Sequence, residues 1–478
     1  MSTAVRRLFG GKRHDRDMTE GSIAKNLWLF ALPLMVGNLF QQLYNMVDTW
    51  TIGQTGNSGA YAAVGNVAAI INILIGLFSG LASGAGVVIS RFYGGHDEER
   101  LSRAVHTAVA MTLVLSAVFT AVGVLLTPAI LRLMLGGEEN EVFAYAKEYL
   151  TIYFAGLAGL LIYNMGAGIL RAVGDSRHPF YFLLVSAVTN IVLDLLFVFA
   201  LGMGVAGVAL ATVIAQALSA VLTVITLLRT PSAVRVMPRA IGIDTAILKR
   251  IVIIGIPAAI QLALTAFSNV FVQSYIAGVN VSSVADQTAV LGGWTTYSKI
   301  DQFLFLPSQS LALAATTLVG QCLGAGDAGR ARRGVLTACL LSLSVTVPAT
   351  GLIMLAAPTL AGILTADAAI VEYATLLLRY ITPFYVFTCI NQTFASGLRG
   401  AGNSAAPMVI MLSAFVGFRQ LYLFIVSSYI SNDLLPIAFS YPAGWATCCL
   451  CLSVYYAFYK FKAEAPASAE KEKEVSAL

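Results

Sequence analysis

Two aspartates on apolar stretches are the residues whose type and setting allow chemistry in this chain. Asp48 closes a polar stripe of Asn38, Gln41, Asn45 and Asp48, whose spacings of three, four and three put all four on one helix face, with Tyr44 one turn before Asp48. Asp194 ends a second stripe, Ser186, Asn190 and Asp194, at a spacing of four. A charged group at bilayer depth costs roughly 2.5–3.5 kcal/mol, so a carboxylate there faces a cavity or a partner. Two carboxylates close together in a low dielectric cannot both ionise comfortably, and a proton or a sodium ion settles between them. The chemistry implied is reversible cation binding.

Depth supports the grouping. Asp48 lies five residues from the outer end of its apolar run, Asp194 seven from the end of its own, and Thr212 eight into the next. At about 1.5 Å of rise per residue these share one level. Asp48, Asn190, Asp194 and Thr212, with Tyr44 beside them, are therefore expected to form a cation-coupling site. It needs no other metal or cofactor beyond H⁺ or Na⁺.

A second polar stripe, Gln261, Thr265, Asn269 and Gln273, has the same helical periodicity but no charge. Asp301 and Arg419 fall near the membrane midplane, and a pair between them would line or close a cavity; a purely structural salt bridge fits their depth equally well. Asn38, Gln41, Asn45, Gln261, Thr265, Asn269, Asp301 and Arg419 are the expected cavity residues.

The elements that hold these groups follow from composition. Of 478 residues 58% are hydrophobic and 11% charged, and the mean hydropathy is +0.80, far outside soluble composition. A formal charge of +5 is small for this length and argues against a nucleic-acid partner. Runs of about 20 apolar residues can span the roughly 30 Å hydrocarbon layer. Twelve are found, approximately at 26–53, 61–90, 102–126, 142–170, 179–201, 204–228, 249–277, 289–320, 334–357, 372–398, 407–428 and 435–459. The first lacks a cleavage signature and is read as a retained span.

Basic residues test this division independently, because they collect on the cytoplasmic side. They recur in every second connection, and 24 of the 29 Lys and Arg fall on the side of the two termini. Among them are Arg91, Arg100 and Arg103, then Arg171 and Arg177, and Arg330, Arg332 and Arg333. Both termini are therefore expected in the cytoplasm, with the chain in the plasma (inner) membrane.

The spans repeat as two sixes. Pro33 and Asn45 correspond to Pro257 and Asn269 at an offset of 224. SRFYGGHDEERLSRAV (90–105) corresponds to GQCLGAGDAGRARRGV (320–335) at 230, and LRAVGDSRHP (170–179) to LRGAGNSAAP (398–407) at 228. An even number of helices per half makes the halves parallel, related by an axis along the membrane normal. The expected fold is all-α, with twelve transmembrane helices in two six-helix bundles. A cytoplasmic segment (1–25) precedes an N-lobe (26–228), a cytoplasmic linker (229–248), a C-lobe (249–462) and a disordered tail (463–478). On the Pro33–Pro257 register Asp48 falls on Val272, so ion coupling is expected in the N-lobe alone.

Other features carry less. Prolines inside spans, Pro33, Pro257, Pro307, Pro348 and Pro383, permit kinks, and Pro33 is the candidate hinge of the first helix. Gly76, Gly80 and Gly84 form a small-residue face suited to close helix packing. The six cysteines, including the C-x-x-C of Cys448 to Cys451, read as apolar filler. Gly202, Gly204 and Gly207 satisfy G-x-G-x-x-G with no preceding strand, and no P-loop or H-E-x-x-H occurs. No clustered nucleophile or metal set suggests an enzyme, and a receptor or channel has little need of duplicated halves.

The first-helix segment PLMVGNLFQQLYNMVDTWTIG, the paired ISRFYGGHD and VGQCLGAGD loops and LRAVGDSRHP together resemble the multidrug and toxic compound extrusion (MATE) family over nearly the whole chain, in its bacterial branch. The resemblance implies a proton- or sodium-coupled antiporter, active as a monomer, that expels amphipathic, often cationic, organic compounds by alternating access. It implies that Asp48, Asn190, Asp194 and Thr212 match the family's N-lobe cation site, that Tyr44, Gln41 and Asn164 are cavity or support residues, and that Pro33 matches a proline implicated in helix-one bending. Acidic residues that some branches carry in helices seven and ten are absent. A lipid-linked precursor or metabolite flippase of the same superfamily is the rival reading, faintly suggested by Lys299, Arg379 and Arg419.

Overall fold

The computed structural model describes residues 17–54, 57–134, 141–281 and 283–463. The reading of residues 1–16 as a basic cytoplasmic segment and of the tail from residue 464 as disordered lies outside them. Among the described residues there is no strand.

Eleven helices are individually long and apolar enough to cross a membrane, and one bent pair supplies a twelfth span. They are α1 (Ile23–Gly53), α2 (Gly59–Gly94), α3 (Glu98–Leu133), α4 (Glu141–Ala155 and Leu157–Ala172), α5 (Arg177–Ala200) and α6 (Gly204–Arg229). In the second half, α7 (Thr245–Ala277), α8 (Val284–Gly324), α9 (Ala328–Leu364), α10 (Ala368–Gly400), α11 (Ala405–Ile430) and α12 (Leu434–Phe458) follow. Most run a few residues past the apolar stretches read from sequence. Hydropathy sees only the part at hydrocarbon depth, whereas the helices continue into polar turns until a side chain caps them. Asp97 Oδ1 accepts from Arg100 N (2.9 Å), Asp244 Oδ1 from Ala246 N (3.0 Å) and Asp327 Oδ1 from Arg330 N (2.7 Å).

The two halves repeat in detail. The turn after α2 and the turn after α8 make the same bonds 230 residues apart: Asp97 N donates to Phe92 O, and Asp327 N to Cys322 O. Where α2 and α8 cross, a Cβ on Gly94 would overlap Gln321 O and one on Gly324 would overlap Arg91 O, a reciprocal contact that marks the two-fold axis. The fourth helix of each half breaks at the equivalent place. The two parts of α4 meet at 48° around Gly156, where a side chain would overlap Val213. In α10, Pro383 sits in a 3₁₀ turn, Thr382–Phe384.

The halves meet along two seams of different character. Between α2 and α7, Gly80 backs onto the backbone of Ala259, and a Cβ on Gly84 would stand 2.6 Å from Gly255 Cα. The face of Gly76, Gly80 and Gly84 is thus a close-packing surface between the halves, in keeping with its composition. Between α1 and α8 the contact is made by side chains instead. Leu27, Phe30, Ala31 and Leu34 bury against Leu311, Ala314, Ala315 and Leu318 near the basic end.

The segments leading into α1 and α7 are both docked. Met18 is fully buried, its N–H donating to Gln321 Oε1 (2.9 Å), while Arg330 donates to the carbonyls of Met18, Glu20 and Gly21 (3.0, 2.8 and 2.9 Å). The linker before α7 packs against α3: Val234 and Val236 are buried, Met237 N donates to His106 Nε2 (2.9 Å), and Asp244 N to Thr107 Oγ1 (3.1 Å). It is an ordered strap on the N-terminal half rather than a loose tether.

Candidate ion site and cavity

The acidic pair is brought together. Asp48 on α1 faces Asp194 and Asn190 on α5 and Thr212 on α6. What delivers this geometry is the packing of α1 on α5, where Gly37 lies against Phe180 and Leu183. Asp194 and Asn190 are 0% and 1% exposed, Thr212 is buried and Asp48 half-buried. Asn190 Nδ2 reaches Thr212 Oγ1 at 3.5 Å, and Thr212 Oγ1 donates to Val208 O at 3.0 Å. Asp194 is the last residue before a π-helical turn, Leu195–Ala200, a wide turn of the kind that recurs at functional positions in helices.

Asp48 Oδ1, Asn190 Oδ1 and both carboxylate oxygens of Asp194 are buried without a hydrogen-bond partner. Orphaned acceptors in a low dielectric are costly unless something donates to them or coordinates them. Four converging oxygens with no donor of their own suit a proton or a small cation. Among the described residues there is no group of three or more His, Cys, Asp or Glu able to hold a metal ion. The pocket is walled by Tyr44, Tyr149 and Tyr153, the last two stacked with ring centroids 6.4 Å apart. Tyr149 and Tyr153 escaped the sequence reading, although their i,i+4 spacing on one helix is visible there.

The polar stripe of α7 opens instead onto a cavity of about 410 Å³ in the second half. Gln261, Thr265, Asn269, Asp301 and Arg419 all line it, as expected, together with Gln42, Tyr385, Asn391, Tyr441 and Trp445. Asn38, Gln41, Asn45 and Asn164 do not. Gln41 hydrogen-bonds Tyr44, Asn164 Nδ2 donates to its own helix at Leu160 O (2.8 Å), Asn45 is exposed, and Asn38 is half-buried on α1. The α1 residue that reaches this cavity is Gln42, one position from the expected Gln41.

Asp301 and Arg419 share the cavity without forming an ion pair. Arg419 stands at the end of a second π-helical turn, Ser413–Phe418, and its Nη2 donates to Ser268 Oγ (2.7 Å) and Asn269 Oδ1 (2.9 Å) on α7. Its guanidinium carbon lies 4.8 Å from the centroid of the Tyr441 ring. Asp301 accepts from Tyr297 OH (3.1 Å) one turn earlier on its own helix. That the two share one cavity was legible in sequence; the neighbours that claim each side chain were not. Lys299 and Arg379 lie outside the lining, so the basic cavity required by the flippase reading reduces to one arginine. Pro33 lies inside α1, which runs through it as one unbroken helix.

The MatE family model matches residues 33–196 and 254–425, one stretch in each half. The chain is 27% identical over 446 residues to the probable multidrug resistance protein YoeA of Bacillus subtilis, covering 91% of this chain and 94% of that one. It is 28% identical over 422 residues to the probable multidrug resistance protein NorM of Thermotoga maritima, covering 86% and 88%. Among solved structures, the outward-facing conformation of a multidrug resistance MATE family transporter of the MOP superfamily superposes with a TM-score of 0.87 at 22% identity, over 94% of this chain and 98% of that one.

Proposed function

The chain belongs to the MatE family, and on that premise we propose that it is a secondary active antiporter of the plasma (inner) membrane that exports amphipathic organic compounds, cations included, in exchange for H⁺ or Na⁺. Its termini would lie in the cytoplasm, where the basic residues gather. The observation that carries the reading is the separation of two sites in one molecule. Four orphaned oxygens on Asp48, Asn190 and Asp194 sit in the N-lobe, and a cavity lined by polar and aromatic groups sits in the C-lobe.

In this reading an ion entering from the far side is held by Asp48 and Asp194 and neutralises a pair that low dielectric otherwise penalises. That neutralisation changes what α1 gains by packing on α5. Pro33, which deprives its helix of one backbone donor, lets α1 bend as the balance shifts. The cavity then faces alternate sides, and an ion crossing 100 mV supplies about 2.3 kcal/mol, enough for a substrate gradient of roughly fifty-fold. One ion per cycle drives useful efflux.

The test is dye efflux from proteoliposomes under an imposed proton or sodium gradient, comparing wild type with Asp48→Asn and Asp194→Asn. Both variants are expected to lose gradient-driven transport. Undiminished transport in both removes the proposed coupling site.

A further inference from the structure

The C-lobe cavity holds two charges of opposite sign that do not meet. Arg419, 2% exposed, is met by two neutral oxygens and an aromatic face and by no carboxylate, and its Nε is buried without a partner. Asp301, half-buried on α8, is met by one hydroxyl, that of Tyr297 one turn earlier on the same helix. A charge withdrawn from water without a counter-charge is expensive, most of all for the buried Arg419, and neither group acquires one from the protein.

The cavity's neutral groups show the same deficit. Tyr385 OH, a donor, and Gln261 Oε1 and Asn391 Oδ1, both acceptors, are nine-tenths or more buried and lack a hydrogen-bond partner. Unpartnered donors and acceptors that line one space mark where a ligand completes the hydrogen bonding. A simple organic cation satisfies Asp301 and the two amide oxygens but leaves Arg419 unmatched, and adds like charge to a cavity that already holds a guanidinium. A simple anion has the reverse fault at Asp301. A ligand bearing both signs answers both.

Resting on the reading of this cavity as the substrate site, we propose that its preferred substrates are dipolar: an apolar aromatic body carrying one anionic group, directed at Arg419, and one cationic amine, directed at Asp301. Trp445 and Tyr441 offer aromatic faces to the body. Arg419 and Asp301 set specificity by charge geometry, and the amide oxygens of Gln261 and Asn391 accept from the amine.

One fluorophore in three charge states tests this. Binding of ε-dansyl-lysine (zwitterion), its methyl ester (cation) and its α-N-acetyl derivative (anion) to the purified full chain is read by dansyl fluorescence. Wild type is expected to bind the zwitterion about tenfold more tightly than either relative. Arg419→Gln is expected to erase the preference over the ester, and Asp301→Asn to erase the preference over the acetyl derivative. Ester binding as tight as the zwitterion in wild type overturns the proposal and leaves the cavity's role standing; this comparison needs no variant to fold. A preference that survives in Arg419→Gln likewise overturns it, whereas the charge-conserving Arg419→Lys is expected to keep part of the preference. Filling the cavity by Thr265→Trp separates the two claims: if all three probes still bind, the site lies elsewhere and both the proposal and the cavity reading fall.

Discussion

The two halves share one scaffold and differ in where they place charge. In the N-lobe, α1 and α5 each bring an aspartate to the same point. At the equivalent points of α7 and α11 the C-lobe has Val272, fully buried in an apolar cluster, and Tyr422, whose hydroxyl donates to Pro436 O (3.2 Å). Its own charges arrive from other positions, on α8 and beside an additional π-helical turn in α11, and they stay apart. The same packing of first helix on fifth therefore yields a tight acidic cluster in one half and an open cavity in the other. Side-chain identity at a few equivalent positions, not backbone topology, decides what each half can bind.

The largest effect that sharpens this contrast separates coupling from binding. Asp194→Asn is expected to cut gradient-driven efflux by at least about tenfold, an apparent barrier of roughly 1.4 kcal/mol or more, while dansyl probes still bind the C-lobe cavity within about twofold of wild type. Equal loss of binding and transport would merge the two sites into one.

How far the sequence carried this contrast depends on the kind of signal. The spans, the duplication and the acidic pair were legible because membrane burial makes each polar residue expensive and therefore informative. The stripe on α7 was legible for the same reason, and all of its proposed cavity members line the cavity. Direction around a helix was less so: Gln42 faces the cavity and Gln41 does not, a single step of about 100° that depends on how α1 is rotated against its neighbours. Asp301 and Arg419 were matched in depth, yet depth says nothing about competing partners, and Ser268 and Tyr297 were the nearer ones. The break in α4 left no proline to read. Gly156 bends the helix because α6 crowds it, a tertiary cause.

The seams differ for a reason visible in the same register. α2 and α7 meet through Gly80, Gly84, Gly255 and Ala259, whereas α8 and α1 carry Ser310, Ala314, Ala31 and Met35 at the corresponding places, every glycine replaced by a residue with a side chain. Gly80→Leu forces a side chain into the backbone of Ala259, and destabilisation of at least about 1–3 kcal/mol is expected, seen as a lower Tm in detergent. Gly351→Ala, with nothing within 4 Å of its Cβ, should leave Tm unchanged or slightly raised. If Gly80→Leu behaves like Gly351→Ala, the glycine seam is not what joins the halves.

At the basic end one side chain ties three segments. Gln321 accepts from Met18 N and donates to Ala172 O at 2.9 Å each, linking the segment before α1, α8 and the end of α4. Gln321→Leu strands two buried backbone groups, for about 1–3 kcal/mol. Faster amide exchange is expected at Met18 and its neighbours, with exchange around His106 and Met237, where the other strap docks, unchanged. Equal loosening of both straps would mean that the two are coupled through the whole basic face instead of being held separately.

The smallest expected effect compares the two turns directly. His96 adopts a left-handed φ of +53°, and its counterpart Gly326 sits at +88°. A side chain in that region costs roughly 1–2 kcal/mol, which only glycine escapes. His96 is exposed and carries this strain, while the C-lobe turn is relaxed. His96→Gly trades the strain for added freedom in the unfolded chain, so a net gain below about 1 kcal/mol is expected. Gly326→His should lose about 1–2 kcal/mol, because it installs the strain at an angle further from the favoured left-handed value. Opposite signs for the two substitutions, measured as Tm shifts on the same background, would establish that the turns share a backbone and differ in how well their sequence fits it. Equal signs would mean that contacts of the His96 ring outweigh the backbone term.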